Sequence, residues 1–226
     1  MDTRIITLIP TRGFVLTESE SALDRELASN LQSPVIIRTH DLPLPMSRNF
    51  LVETALKIKD WTHALLLDDD IILPKDSLKE MLKINTDVVT MNYPMHGKVD
   101  GKTCGVIAHD KDGSIAFAGL GATLVKRKVF ETIEQPWFCG TQYRIERTKD
   151  GTIGFFVGQQ DGRFPTSAGE DTYFYLQCRK YNLKVKETKR IATHARVDRM
   201  VTTSHAQRYF QQHVITKNDK VERELL

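Results

Sequence analysis

The chain has 226 residues, 40% hydrophobic and 27% charged, with 13 Gly and 8 Pro, a balance that excludes disordered and collagen-like chains. Its 32 Lys+Arg against 29 Asp+Glu leave a formal charge of +3, too small for nucleic acid or a membrane surface to be the main partner by bulk electrostatics, so any anion site must be local. Cys104, Cys139 and Cys178 lie far apart with no Cys-x-x-Cys pair, which argues against a disulfide framework and a zinc knuckle and fits a reducing cytoplasm.

The N-terminus lacks a signal-peptide pattern, no segment approaches the roughly 20 apolar residues of a membrane span, and no Asn-x-Ser/Thr acceptor occurs. A cytoplasmic chain without an integral membrane segment is expected. The length suits one domain over 1–226, divided into a nucleotide-binding half, 1–95, and an acceptor and catalytic half, 96–226.

Arg4 to Pro10 reads as a buried strand stopped by Pro10 and Gly13, and Ala22, Leu23, Leu27 and Leu31 follow at helical spacing. Val35-Ile36-Ile37 is a second strand; Ser47 can then cap a helix bearing Leu51, Ala55 and Ile58 on one face. A third apolar strand, Ala64 to Leu67, runs directly into Asp68-Asp69-Asp70, and Asp76 or Ser77 can start a short helix before a strand over Asp87 to Met91. Strands alternating with helices predict an α/β sheet.

The second half changes character. Turns at Gly97, Gly101, Gly105, Gly113 and Lys149-Asp150-Gly151 separate short β segments, including Tyr143 to Arg147 and Thr152 to Val157, which read as hairpins added to the sheet. Gly158 to Gly169 is a candidate mobile loop beside a site, Asp171 to Lys180 is helical, and Ser204 to Val214 is expected as a C-terminal helix.

Three consecutive carboxylates end an apolar strand, where ligands bind in α/β sheets, and a hard divalent cation would make them tolerable. Strand alternation predicts Asp68 and Asp70 on one side and Asp69 on the other. The bland alternative is an acidic, solvated turn before Pro74. A second acidic pair, Glu170-Asp171 after Gly169, precedes an apolar helix whose dipole favours an ionised carboxylate; it reads either as a general base or as an ordinary acidic first turn.

Taken in order, Ser47-Arg48-Asn49, Leu67-Asp68-Asp69-Asp70, the segment Gly121 to Phe130 and Gly169-Glu170-Asp171-Thr172 resemble the GT-A glycosyltransferases of the family-two type over most of the chain. The resemblance implies a GT-A mixed sheet flanked by helices and a Mn²⁺- or Mg²⁺-dependent transfer of sugar from a nucleotide diphosphate donor, UDP-linked by preference, to a hydroxyl acceptor. It implies Asp68 near ribose and metal, Asp69 beside the nucleotide, Asp70 as direct metal ligand, Asp171 as base of an inverting reaction, and Glu170 orienting the base or the acceptor. Thr11, Arg12, Arg48 and Asn49 would lie against the nucleotide. His194 would complete the metal site, although Thr193 stands where some family members have Gly, and late metal-binding histidines also occur in retaining enzymes.

The acceptor is a carbohydrate or another hydroxyl compound, a modified DNA base included. Trp137 either stacks on a sugar face or, with Phe138, closes the core. A sugar-nucleotide nucleotidyltransferase is weaker, because Thr11-Arg12-Gly13 is no Gly-rich phosphate loop, and a non-catalytic binding module built on the basic stretch Lys184 to Arg199 has no use for two acidic clusters.

Overall fold

The computed structural model describes residues 3–11, 13, 15–30, 34–40, 42–99, 102–139, 143–147, 153–157, 169–202 and 208–214. The apolar run β1 (Ile5–Thr11) leads to helix α1 (Thr17–Asn30), and β2 (Val35–His40) to α2 (Leu44–Lys57). Next come β3 (His63–Leu67), the short β4 (Ile71–Ile72), α3 (Ser77–Ile84) and β5 (Val88–Asn92). Two hairpins follow, β6 (Pro94–Val99) with β7 (Lys102–Gly105) and β8 (Ala108–His109) with β9 (Ile115–Phe117). The chain then forms β10 (Ala122–Lys126), α4 (Arg127–Thr132) and the hairpin of β11 (Tyr143–Arg147) with β12 (Ile153–Val157). Finally come α5 (Glu170–Lys180), β13 (Val185–Ile191), β14 (Thr193–Thr202) and β15 (Arg208–Val214).

The central sheet has the order β13-β5-β10-β3-β1-β2. Helical crossovers make β1, β2 and β3 parallel, whereas β10 returns from β5 through hairpins without a helix and lies antiparallel to both β3 and β5. The C-terminal ends of β1, β3, β5 and β13 and the N-terminal end of β10 therefore share one edge. Two-residue periodicity divides the core between the sheet's faces. Ile6, Leu8, Ala64, Leu66 and Val125 pack with Leu51, Val52 and Ala55 of α2, Phe130 of α4 and Phe174 of α5. Ile5, Ile9, Leu65, Leu67 and Leu124 pack with Leu23 and Leu27 of α1 and Leu78 and Met81 of α3. This mixed sheet flanked by helices, with hairpins added in the second half, is the expected fold class.

Three local expectations are corrected. The first strand does not stop at Pro10, because pairing with β3 ends at Leu8; beyond that point only β2 lies alongside, and the missing N–H is tolerated. Ser47 does not cap α2: the helix starts at Leu44 behind Pro43, with Pro45 in its first turn where an N–H has no partner, and the buried Ser47 hydroxyl meets that of Thr39. Helix α3 does start where expected, at Ser77 behind Asp76, and the buried Glu26 of α1 accepts from the N–H groups of Asp76 (2.9 Å) and Leu78 (3.0 Å). The expected C-terminal helix is absent over 208–214, where β15 pairs antiparallel with β14; Tyr209, Phe210 and Val214 favour extended backbone once a partner strand is present. No described helix is long and apolar enough to cross a membrane.

Candidate active site

The chain leaves β3 at Leu67 and turns at once: the Ile71 N–H donates back to the Asp68 carbonyl (3.3 Å), and the Asp68 N–H donates to that of Gly121 (3.0 Å). Strand alternation therefore lapses, and Asp68, Asp69 and Asp70 all line one cavity of about 260 Å³ together with Pro10, Thr11, Leu42, Leu44 and His194. A solvated acidic turn is ruled out, since Asp69 and Asp70 are buried. Thr11 spends its hydroxyl oxygen locally, accepting from the Gly13 N–H at 2.7 Å.

Arg48 rises from α2 into this acidic cluster with its side chain 2% exposed. Its Nη2 donates to Asp68 Oδ1 (2.7 Å) and its Nε to Glu170 Oε1 at the start of α5 (3.0 Å), while Nη1 is buried without a partner. Burial disfavours the guanidinium charge, but the two carboxylates outweigh that and hold it protonated. Beside Glu170, the Asp171 carboxyl is pushed up to about 6, first by burial and then by the Glu170 charge; the Thr172 N–H, donating to Asp171 Oδ1 at 2.7 Å, and Arg48 pull the other way.

His194 opens β14, which is held against β4 by the pairs Thr193 with Ile72 and His194 with Ile71. The Pro94 carbonyl can only accept, so His194 Nδ1 carries the hydrogen of that 2.8 Å bond, an assignment from the hydrogen-bond network. Nε2 then faces Asp70 Oδ2 at 3.5 Å. Burial draws the imidazole pKa down, and Asp70, aided by the Pro94 carbonyl, more than compensates and leaves it above the ordinary value.

Tyr93, just past β5, escaped the sequence reading although it occupies a strand end as Asp68 does. Its ring meets that of His194 edge-on at 5.2 Å, and its hydroxyl oxygen accepts the Gly121 N–H at 3.0 Å. Burial and then Asp68 push its pKa well up, so it stays a neutral phenol. Glycine is required at 119 and 121 for this reason: a Cβ at Gly119 would lie 2.2 Å from the Tyr93 hydroxyl, and one at Gly121 would lie 2.6 Å from Asp68 Oδ2 and 2.8 Å from that hydroxyl.

Other expected site residues are used elsewhere or lie outside the description. The Asn49 amide donates to the Pro45 and Phe138 carbonyls (2.8 and 2.7 Å) and accepts from the N–H groups of Trp137 and Phe138 (3.1 and 3.2 Å), so it clamps the 137–138 segment onto α2. Trp137 is a core residue, 2% exposed, with its indole N–H donated to the Phe130 carbonyl (2.9 Å). Arg12 and residues 158–168 of the expected loop lie outside the described residues. Of the basic stretch, Arg190 is paired with Glu80 of α3 at 2.9 Å.

No protein-family model and no curated protein matches this chain. Among solved structures, A197 from STIV superposes with a TM-score of 0.53 at 19% identity, covering 95% of this chain and 97% of that one, which shows a shared fold. A mutant Drosophila β-1,4-galactosyltransferase 7 in complex with manganese, UDP-Gal and xylobiose gives 0.46 at 14% identity over 84% of this chain and 66% of that one. A glycosyltransferase involved in glycosylation of the major capsid of PBCV-1 gives 0.36 at 15% identity, over 59% and 68%.

Proposed function

We propose that this chain is a metal-dependent GT-A glycosyltransferase that moves a sugar from a nucleotide diphosphate donor, preferably UDP-linked, to an acceptor hydroxyl with inversion. The observation that carries the reading is the buried acidic cluster at the C-terminal edge of the sheet, where Asp68 and Glu170 share Arg48 and Asp70 faces His194 beside an open cavity. Among the described residues five carboxylates gather there with one arginine and one histidine, an excess of negative charge that a cation would relieve.

The donor set suits such a cation. His194 Nδ1–H is committed to a carbonyl, the orientation that leaves Nε2 as the ligating atom, and Asp70 lies opposite it. Among the described residues no group of three or more His, Cys, Asp and Glu is arranged as a complete metal site. Two protein ligands suffice when substrate phosphates and water supply the rest, the usual arrangement for a hard ion on a diphosphate. Asp70 and His194 would hold Mn²⁺ or Mg²⁺, with Asp68 beside them, and the ion would neutralise the diphosphate as it leaves.

The protein groups supply the rest. Thr11 and the Leu42 and Leu44 side chains wall the cavity on the β1–β2 side, where the nucleotide would lie. Asp171 takes the proton of the acceptor hydroxyl as that oxygen attacks the anomeric carbon and the bond to the diphosphate breaks. A pKa of about 6 leaves the carboxylate ionised at neutral pH yet more basic than an ordinary aspartate. Glu170, tied to Arg48, fixes the start of the helix that carries this base.

A screen of nucleotide sugars for Mn²⁺-dependent donor hydrolysis and transfer, with product anomers read by NMR, tests the reading. Asp70→Ala and Asp171→Asn should each cut turnover by about 10²–10³-fold or more. Unchanged turnover in both, with folding intact, would sink it; a retained anomeric configuration would remove Asp171 as base while keeping the metal site.

A further inference from the structure

We propose that Arg48 is a positioning residue that ties Asp68, on the donor side, to Glu170, on the acceptor side, so that one buried guanidinium sets the spacing between the two parts of the site. The labels donor and acceptor rest on the glycosyltransferase reading; the tie itself does not.

The Nε and Nη2 hydrogens of an arginine lie on one edge of its planar fork and ordinarily grip a single carboxylate with both prongs. Here that edge is split: Nη2 serves Asp68 at the end of β3, and Nε serves Glu170 at the start of α5, 122 positions from Arg48 in the chain. The end of β3 and the start of α5, which already share one core cluster through Leu66 and Phe174, are thereby joined at their site ends by hydrogen bonds. The other site residue of the same helix is held differently, since Asn49 clamps Trp137 and Phe138 to α2. Helix α2 thus carries adjacent residues that brace the core and the site. A purely structural arginine at 2% exposure would satisfy all its nitrogens, and this one leaves Nη1 buried and unpartnered beside the cluster.

Among the described residues the charges acting on Asp171 are Glu170, Arg48 and Asp68, together with the neutral hydroxyls of Tyr93 and Tyr175. Removing Arg48 therefore withdraws the one cation in that group and lifts the Asp171 titration, whereas a merely structural loss does not.

The test is a mutant cycle on the full chain. Asp68→Asn and Glu170→Gln are made singly and together, in the wild-type and Arg48→Gln backgrounds, and the unfolding equilibrium constant and the dissociation constant for UDP with Mn²⁺ are measured. The two carboxylates should couple by at least about threefold in the wild-type background and act independently in Arg48→Gln. Arg48→Lys keeps the charge, folds if Arg48→Gln does not, and should still lose the coupling, because one ammonium lacks the fork geometry. Carboxyl-carbon NMR should show Asp171 titrating higher in Arg48→Gln. Independent effects in the wild-type background, coupling that survives in Arg48→Gln or Arg48→Lys, or an unmoved Asp171 titration overturns the tie. Coupling seen in unfolding but no UDP binding and no turnover upholds the tie and overturns the glycosyltransferase reading instead.

Discussion

The sheet carries a cavity at each end, and the two are built from opposite electrostatics. The larger, about 410 Å³, lies where β1 and β2 begin, lined by Arg4, Ile5, Ile6, Val35 and the stretch Ile58 to Trp61. Of its charges, Arg4, Lys59 and Asp60, the pair Arg4 and Asp60 is 61% and 77% exposed and stands 4.0 Å apart, so water screens it and it holds little. The smaller, about 260 Å³, lies where β1 and β3 end and gathers Asp68, Asp69, Asp70 and His194. Behind it, Arg48 bridges two carboxylates at 2% exposure. The difference teaches that volume does not mark the site. A fold gains no stability from crowding buried acids around one cation, and the proposed function assigns the chemistry to the end that sustains this cost.

The most severe way to break the contrast is Arg48→Gln. It strands two partly buried carboxylates, and denaturant unfolding should show a loss of about 3–5 kcal/mol; a loss below about 1 kcal/mol would make the buried bridge no different from a surface pair.

Asp171→Asn sharpens it with an opposite sign. The folded pKa of about 6 lies above the ordinary aspartate value of 3.8, so the folded state binds the proton more tightly than the unfolded one. Wild-type stability therefore falls as pH rises through that window, and the penalty is fully present above about pH 6. Asp171→Asn should be more stable than wild type by an amount on the order of 1–3 kcal/mol at pH 8, the gain shrinking toward nothing near pH 4, while turnover is lost. Thermal unfolding across pH checks it, and a variant less stable at pH 8 than at pH 4 relative to wild type contradicts it.

Gly121→Ala probes the packing behind the carboxylates. Its Cβ would meet Asp68 Oδ2 at 2.6 Å and the Tyr93 hydroxyl at 2.8 Å. Because the aspartate end can shift and the buried tyrosine cannot readily, we expect about 1–2 kcal/mol of destabilisation, with weaker UDP–Mn²⁺ binding by calorimetry. The smallest effect belongs to the other cavity: Arg4→Gln should change stability by no more than about 0.5 kcal/mol and leave turnover as it is.

Much of the fold was legible in the chain because its core is divided by period. Ile5, Ile6, Leu8 and Ile9 and Ala64 through Leu67 put apolar side chains on both strand faces, as strands covered by helices on both sides must, and Leu23 and Leu27 or Leu78 and Met81 repeat at helical spacing. Local rules failed where distant partners intervened. Ser47 looked like a cap and is a buried helix residue bonded to Thr39, and 208–214 forms a strand because β14 offers an edge.

The alternation of strands and helices in the first half, the alternating core and the place of the acids at the end of β3 were determined by the sequence alone, since each follows from residues within a turn or a strand of one another. Which acid answers to which partner was decided only by the tertiary structure. Asp68 meets an arginine 20 positions away that also holds Glu170, and Asn49, beside that arginine, turns to the core instead. Asp69 joins its neighbours in the cavity because the chain turns after Leu67. Tyr93 enters the site through Gly121 and His194. Burial sets the strength of a charge, and burial is a property of the packed chain as a whole.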